Sequence, residues 1–338
     1  GANGGTMGVA MLGTFTGVAP TAKALASLRR ILAWKADQRQ LTPYLSRFHA
    51  SSGLLLRGIS GHRDGPGATE CPGDALYALL PRLRAEVHNL ISGTTYVTSV
   101  SAASYGAAGV APQSILAAFG ANLADGAAAA LTLPLPERLG GVTVRVIDNL
   151  NQEIVAPLFY VSPSQINLLL PPGLASGPAT ILVENGAAVA AGSLAIEPLA
   201  PALFTANSDG RGAPAALLFR LRADGSSAYE PVSRYDDVLR QYLPRQIEFG
   251  SASDQLFLVA FGTGMRSSTT LGSLGNVEAR LGQTSLPVSF LGPAPGFVGI
   301  EQINIPLPAS LRELAGRGET VFQIIIAGRA TNPVTLSF

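Results

Sequence analysis

An internal repeat constrains the fold of this chain more than any other feature. Ser164-Gln165-Ile166-Asn167-Leu168-Leu169-Leu170-Pro171 recurs as Glu301-Gln302-Ile303-Asn304-Ile305-Pro306-Leu307-Pro308. Upstream of each copy, Ala118-Phe119-Gly120 matches Ala260-Phe261-Gly262. Each copy ends in a β-favouring run beside an Asn: Val183-Glu184-Asn185-Gly186 and Thr331-Asn332-Pro333-Val334. A repeated unit implies two domains of one architecture. From Thr94 onward, short β-branched runs such as Val142-Thr143-Val144-Arg145-Val146-Ile147 and Phe322-Gln323-Ile324-Ile325-Ile326 alternate with Gly, Pro and Asn turns. Copies of about 100–140 residues predict two tandem immunoglobulin-like β-sandwiches. The hinge falls near Glu197-Pro198-Leu199-Ala200-Pro201.

The first ninety residues read differently. Thr21 caps a predicted helix over 21–40, with Leu25, Leu28, Ile31 and Leu32 as its apolar stripe. A second helix is predicted over 74–89, with Leu76, Leu79, Leu80, Leu83 and Val87 on one face and a kink at Pro81. Gly8–Gly13 reads as a short buried strand, and Leu54–Gly61 as a second strand that delivers His62 at its end. The expected fold is therefore multidomain: a partial α/β domain over 1–92, then β-sandwiches over 96–197 and 198–338.

His62-Arg63-Asp64 and Thr69-Glu70-Cys71-Pro72-Gly73 flank the loop Gly65-Pro66-Gly67. Zn²⁺ takes neutral imidazole and thiolate together, and a catalytic site needs three protein ligands and an open position. A Gly/Pro turn lets two nearby residues converge on one ion. A His–Cys pair alone more often reflects a buried structural thiol. His49 and His88 are read as solvent-facing: one in a polar loop, the other near a helix end.

Composition sets outer bounds. Only 13% of residues are charged, against 47% hydrophobic, and 38 Gly and 24 Pro supply the turns of a β-rich protein. A net charge of +1 gives no nucleic-acid footprint. Residues 1–92 carry ten Lys/Arg against five Asp/Glu, and the remainder thirteen against seventeen. The basic segment suits an acidic polymer, although solubility accounts for it equally well. One cysteine excludes an internal disulfide. Val87–Ala124 lacks Asp, Glu, Lys and Arg, but Gly, Pro, Ser and Thr interrupt it too often for a membrane span.

The order of these motifs, from Gly4-Gly5-Thr6-Met7-Gly8-Val9-Ala10-Met11-Leu12-Gly13-Thr14-Phe15 through Ile59-Ser60-Gly61-His62-Arg63-Asp64 to Thr69-Glu70-Cys71-Pro72-Gly73-Asp74-Ala75-Leu76-Tyr77, resembles the peptidoglycan-recognition-protein and type 2 amidase family over about residues 1–90. That resemblance implies a zinc N-acetylmuramoyl-L-alanine amidase, or a non-catalytic binder of the same wall polymer, acting on peptidoglycan outside the cytoplasm. It makes His62 and Cys71 the second and third zinc ligands, and Thr69 a group that assists the transition state. The family's first zinc His and a water-positioning Tyr lie upstream of this motif. The chain is thus expected to be part of a longer product, with an incomplete Zn²⁺ site and no activity of its own.

The remainder resembles a second family. Val100-Ser101-Ala102-Ala103-Ser104-Tyr105, Tyr160-Val161-Ser162-Pro163-Ser164-Gln165-Ile166-Asn167, Ala200-Pro201-Ala202-Leu203-Phe204 and Gly296-Phe297-Val298-Gly299-Ile300 follow the pattern of the Solibacter-type paralogous C-terminal domain. This implies a surface or assembly module and no chemistry. Gln165, Asn167, Gln302 and Asn304 read either as ligands for a sugar or peptide, or as partners for loop backbone at a sandwich corner; the second is favoured. Asp209, Asp224, Asp236 and Asp237 do not follow calcium-loop spacing and are read as solvated.

Overall fold

The computed structural model describes residues 4–106, 108–266 and 274–338. Among them the protein is mostly β-sheet, in several sheets, with few helices. No helix is long and apolar enough to cross a membrane among the described residues.

Helix α1 (Ala22–Gln38) starts where Thr21 Oγ1 accepts the N–H of Ala24, at 3.3 Å. Leu28 is buried and Leu25 and Leu32 pack beside it, whereas Ile31, expected in the same stripe, is exposed. Strands β1 (Ser46–His49) and β2 (Leu54–Arg57) pair as an antiparallel hairpin. The expected second helix is two pieces, α2 (Asp74–Tyr77) and α3 (Leu80–Ser92). The chain breaks at Ala78–Leu79, ahead of Pro81. Pro81 sits in the first turn of α3, where its missing N–H costs nothing, so it starts a helix and does not kink one. Leu76, Leu80, Leu83 and Val87 close one core with Leu28, Ala33 and Ile59. The segment expected as a buried strand, Gly8–Gly13, forms no strand and is largely exposed, with Leu12 fully so. It has no strand partner among the described residues, and of its residues only Met11 packs against the core, followed by Phe15 just beyond it.

Next come β3 (Val97–Ser101), β4 (Ile115–Phe119), β5 (Ala128–Ala129), β6 (Arg138–Leu139) and β7 (Val142–Ile147). They are followed by β8 (Glu153–Ala156), β9 (Leu158–Val161), β10 (Gln165–Leu169), β11 (Gly177–Asn185) and β12 (Ala188–Ile196). These ten form one sheet in the order β5-β9-β10-β4-β3-β12-β11-β7-β6, with β8 on β7. The hairpin β11–β12 is its longest pairing, from Gly177↔Ile196 to Asn185↔Ala188.

The remaining strands are β13 (Ala202–Leu203), β14 (Ala216–Leu221), β15 (Ser227–Pro231), β16 (Ser233–Asp236), β17 (Gln241–Pro244) and β18 (Gln255–Thr263). After them come β19 (Val277–Leu281), β20 (Thr284–Leu286), β21 (Phe290–Pro293), β22 (Glu301–Leu307), β23 (Glu319–Ile326), β24 (Arg329–Ala330) and β25 (Val334–Ser337). One sheet runs β15-β14-β18-β22-β21 with β13 on β18, and a second runs β20-β19-β23-β24 with β25 on β23. Leu218, Leu258 and Ile303 from the first meet Ala279, Phe322 and Ile324 from the second in a single core. This is a sandwich, built by period-two alternation: every second residue of β22 is buried.

The repeat has a structural counterpart. The strand that ends in Ala118-Phe119 neighbours the Gln165-Ile166-Asn167 strand, and β18 pairs with β22 in the register Ala260↔Ile303 and Phe261↔Gln302. The Gln-Ile-Asn motifs lie in strands and not at corners. Period two puts Gln302 and Asn304 on one face, where Gln302 Nε2 donates to Asn304 Oδ1 at 2.9 Å. The expected loop-backbone role therefore does not describe that pair.

Two compact units are present. The first comprises Gly1–Ser99, Ala118–Ile166 and Gly173–Ile196; the second comprises Val100–Ala117, Asn167–Pro172 and Glu197–Phe338. Residues 1–92 thus belong to one unit with part of the following sheet. The reason is α3, which packs on β12 and β11. Its Asn89 amide donates to Ala191 O and accepts from Ala191 N, both at 2.8 Å, as a neighbouring strand would.

Candidate functional site

His62 opens a single 3₁₀ turn, His62–Asp64, five residues beyond the end of β2. The turn rests on Gly61, which is buried: a Cβ there would stand 3.0 Å from both Pro72 Cδ and the Tyr77 ring. Asp64 closes it from both sides. Its Oδ2 accepts the Gly61 N–H at 2.8 Å and its Oδ1 accepts the Tyr77 hydroxyl at 2.5 Å. Burial and the Asp64 carboxylate hold the Tyr77 pKa above its usual value, so the hydroxyl keeps its proton.

Arg63 ties the loop shut. Its N–H donates to Cys71 O at 2.9 Å, its Nη1 to Asp74 Oδ1 at 2.7 Å, and its Nη2 to Glu70 O. The guanidinium also lies over the Tyr77 ring, 4.7 Å from the centroid. The clamp brings His62 and Cys71 to the rim of one cavity of about 290 Å³, floored by Phe15, Leu28 and Leu76. Both residues are exposed. Thr69 is half-buried, and its Oγ1 accepts the Cys71 N–H at 3.2 Å, which leaves the hydroxyl proton for another acceptor. Arg63, Asp64 and Tyr77 carry this geometry. The sequence shows Arg63 and Asp64 beside His62, but not that one closes the loop and the other holds the tyrosine.

Imidazole and thiolate are donors that zinc prefers, and His62 and Cys71 bring one of each to this cavity. Among the described residues no group of three or more His, Cys, Asp or Glu comes together. The other histidines are engaged elsewhere, and neither is the solvent-facing residue expected. His49 lies in β1, with Nδ1 2.8 Å from Ser52 Oγ and Nε2 2.8 Å from Gly4 O. His88 is half-buried in α3, edge-on to Tyr44, with Nε2 3.0 Å from Val189 O. Burial lowers its pKa, so the imidazole is neutral and donates to that carbonyl.

Residues 1–74 match the N-acetylmuramoyl-L-alanine amidase family. The amidase match includes His62, Arg63, Asp64, Thr69 and Cys71, together with the exposed Gly8–Gly13 segment, and ends before Leu76 and Tyr77. No curated protein matches the chain. Among solved structures, SGBP-B from a complex xyloglucan utilization locus in Bacteroides uniformis is 12% identical, over 72% of this chain and 48% of that one, with a TM-score of 0.20. This chain therefore spans about half the length of that protein. Domains 5-6 of the S-layer protein SbsC are 10% identical, over 71% of this chain and 95% of that one, with a TM-score of 0.22. At these scores neither likeness specifies a fold or a function.

Proposed function

We propose that residues 1–92 carry part of the zinc site of an N-acetylmuramoyl-L-alanine amidase that acts on peptidoglycan outside the cytoplasm. His62 and Cys71 are the metal ligands in this reading. The observation that supports it is that both line one cavity, joined by the Arg63 clamp, and that both lie in the amidase-matching residues. When bound, zinc supplies a Lewis acid and a water of lowered pKa. The chain's own contribution is to hold that ion through the His62 imidazole and the Cys71 thiolate. The Thr69 hydroxyl is positioned beside them as a donor to a developing oxyanion.

The two β modules are read as tandem immunoglobulin-like sandwiches of the Solibacter type, over 96–197 and 198–338, serving surface display or assembly. The recurrence of the Ala-Phe-Gly strand beside the Gln-Ile-Asn strand in both copies supports that reading. A second reading is a non-catalytic peptidoglycan binder.

Zinc titration against a competing chelator, combined with digestion of purified peptidoglycan, tests both readings. The amidase reading expects weak zinc binding by this chain, lost in Cys71→Ser and in His62→Ala, with no peptide released. Zinc binding unchanged in both variants removes the metal assignment. Wall binding that survives metal removal and both substitutions supports the binder.

A further inference from the structure

Arg84 is among the most buried charged groups of the protein, at 6% exposure, and forms no ion pair with any described residue. Its Nε donates to Ile59 O at 2.7 Å. Arg220, equally buried, shows how this protein otherwise accommodates such a charge: Glu230 and Asp254 both pair with it. The buried Glu301 likewise has Arg266. A buried charge without a counter-ion is costly. Burial, and secondarily the like charge of Arg57, push the Arg84 pKa down to about 10, so it remains a cation at neutral pH.

Arg57, the last residue of β2, stands in the same place. It is half-buried, and its Nη2 donates to Asp148 O at 2.7 Å. Both arginines line a second cavity of about 310 Å³, walled also by Ser60, Tyr77, Asn149 and Asn151. Every wall residue lies in the first compact unit. Asp64 is the acid on this wall, and both its oxygens are already taken, by Gly61 N–H and Tyr77 O–H. Asn151 accepts from Ser46 through Oδ1 at 2.8 Å, which leaves its Nδ2 to donate. The wall thus offers two guanidinium groups and an amide donor around a single committed carboxylate. Asp64 and, beside Arg57, the buried Asp148 offset these charges at a distance, but neither carboxylate accepts a hydrogen bond from Arg57 or Arg84, so guanidinium donors remain for a ligand in the cavity.

We propose that this cavity is a binding site for a small molecule bearing a carboxylate, held between Arg57 and Arg84. Guanidinium groups bind carboxylates through paired, charge-assisted hydrogen bonds. The cavity volume lies at the lower end of the range of small-ligand pockets, about 300–1,000 Å³. The site does not depend on the amidase reading, because neither His62 nor Cys71 lines it.

The test uses the full chain, with N-acetylglycine as probe, N-acetylglycinamide as the uncharged control and inorganic phosphate as a second anion, all at constant ionic strength. Thermal shift and calorimetric titration read binding. N-acetylglycine is expected to raise Tm and the amide is not. Arg57→Gln is expected to weaken binding at least about tenfold, the loss of one charge-assisted pair. Arg84→Gln is expected to abolish it. Asn151→Asp, which adds a negative charge at the rim, covers the case in which Arg84→Gln does not fold, and is expected to weaken binding similarly. Arg222→Gln, which removes an exposed positive charge in the second compact unit, should bind as the unmodified protein does. Equal effects of acid and amide, or binding unchanged in both Arg57→Gln and Asn151→Asp, overturn the site. A larger effect of phosphate than of N-acetylglycine overturns the carboxylate assignment.

Discussion

Asn89 offers the sharpest test of how α3 is held to the sheet. Strand β3 pairs with β12 at Gly192↔Val97 and Ser193↔Thr98, so Ala191 lies just past the register that β3 supplies. The Asn89 side chain takes over there, with Ala191 N–H and C=O each bonded to it at 2.8 Å and Thr94 Oγ1 donating to Oδ1 at 3.0 Å. Asn89 is 5% exposed and Ala191 is fully buried, so water does not substitute for these bonds. Asn89→Ala removes three hydrogen bonds worth about 1 kcal/mol each and strands one buried N–H and one buried C=O. The expected loss is about 3–5 kcal/mol. Asn89→Asp keeps an acceptor for Ala191 N–H but turns a buried anion towards Ala191 O, and should cost at least as much. Urea unfolding gives the free energy, and hydrogen exchange at the Ala191 amide reports the local opening. A loss below about 1 kcal/mol, with Ala191 exchange unchanged, refutes the view that this side chain continues the ladder.

Three further outcomes follow from particular contacts. Arg220→Met should destabilise by about 3–5 kcal/mol in urea unfolding, because it leaves Asp254 and the carbonyls of Glu248 and Phe249 without their donor; adding Asp254→Asn should recover part of that. Burial holds the His88 pKa below 6.5, so the unfolded chain takes up a proton first. The stability associated with neutral His88 is present above that value and is lost as pH falls through the folded pKa. His88→Gln should flatten the dependence of unfolding free energy on pH below 6.5, and an unchanged slope would contradict the assignment. Gly192→Ala puts a Cβ 2.0 Å from Val97 O, a backbone atom with little room to yield. It should cost about 1–3 kcal/mol or more in urea unfolding, with faster exchange along β3.

Local patterns in the sequence determined the elements. The Thr21 cap and the leucine spacing specify α1, and the β-branched runs between turns specify the strands, because these signals act over a few residues. The repeat was legible for the same reason: identical runs make neighbouring strands in both copies. That His62 and Cys71 lie near one another was legible, because they are nine positions apart around a turn, and both line one cavity. Tertiary structure decided everything that depends on a distant partner. Gly8–Gly13 is apolar enough for a strand, yet a strand needs a neighbour, and none of the described residues pairs with it. His88 and Asn89 look like helix-end polar residues until β12 arrives a hundred positions later and buries them. Arg57 and Arg84 are ordinary basic residues in the chain, and only the fold places both on one cavity wall with a single committed acid. Periodicity encodes which face of an element is apolar. The partner of a buried polar group is set by which elements pack together, and that information is spread over the whole chain.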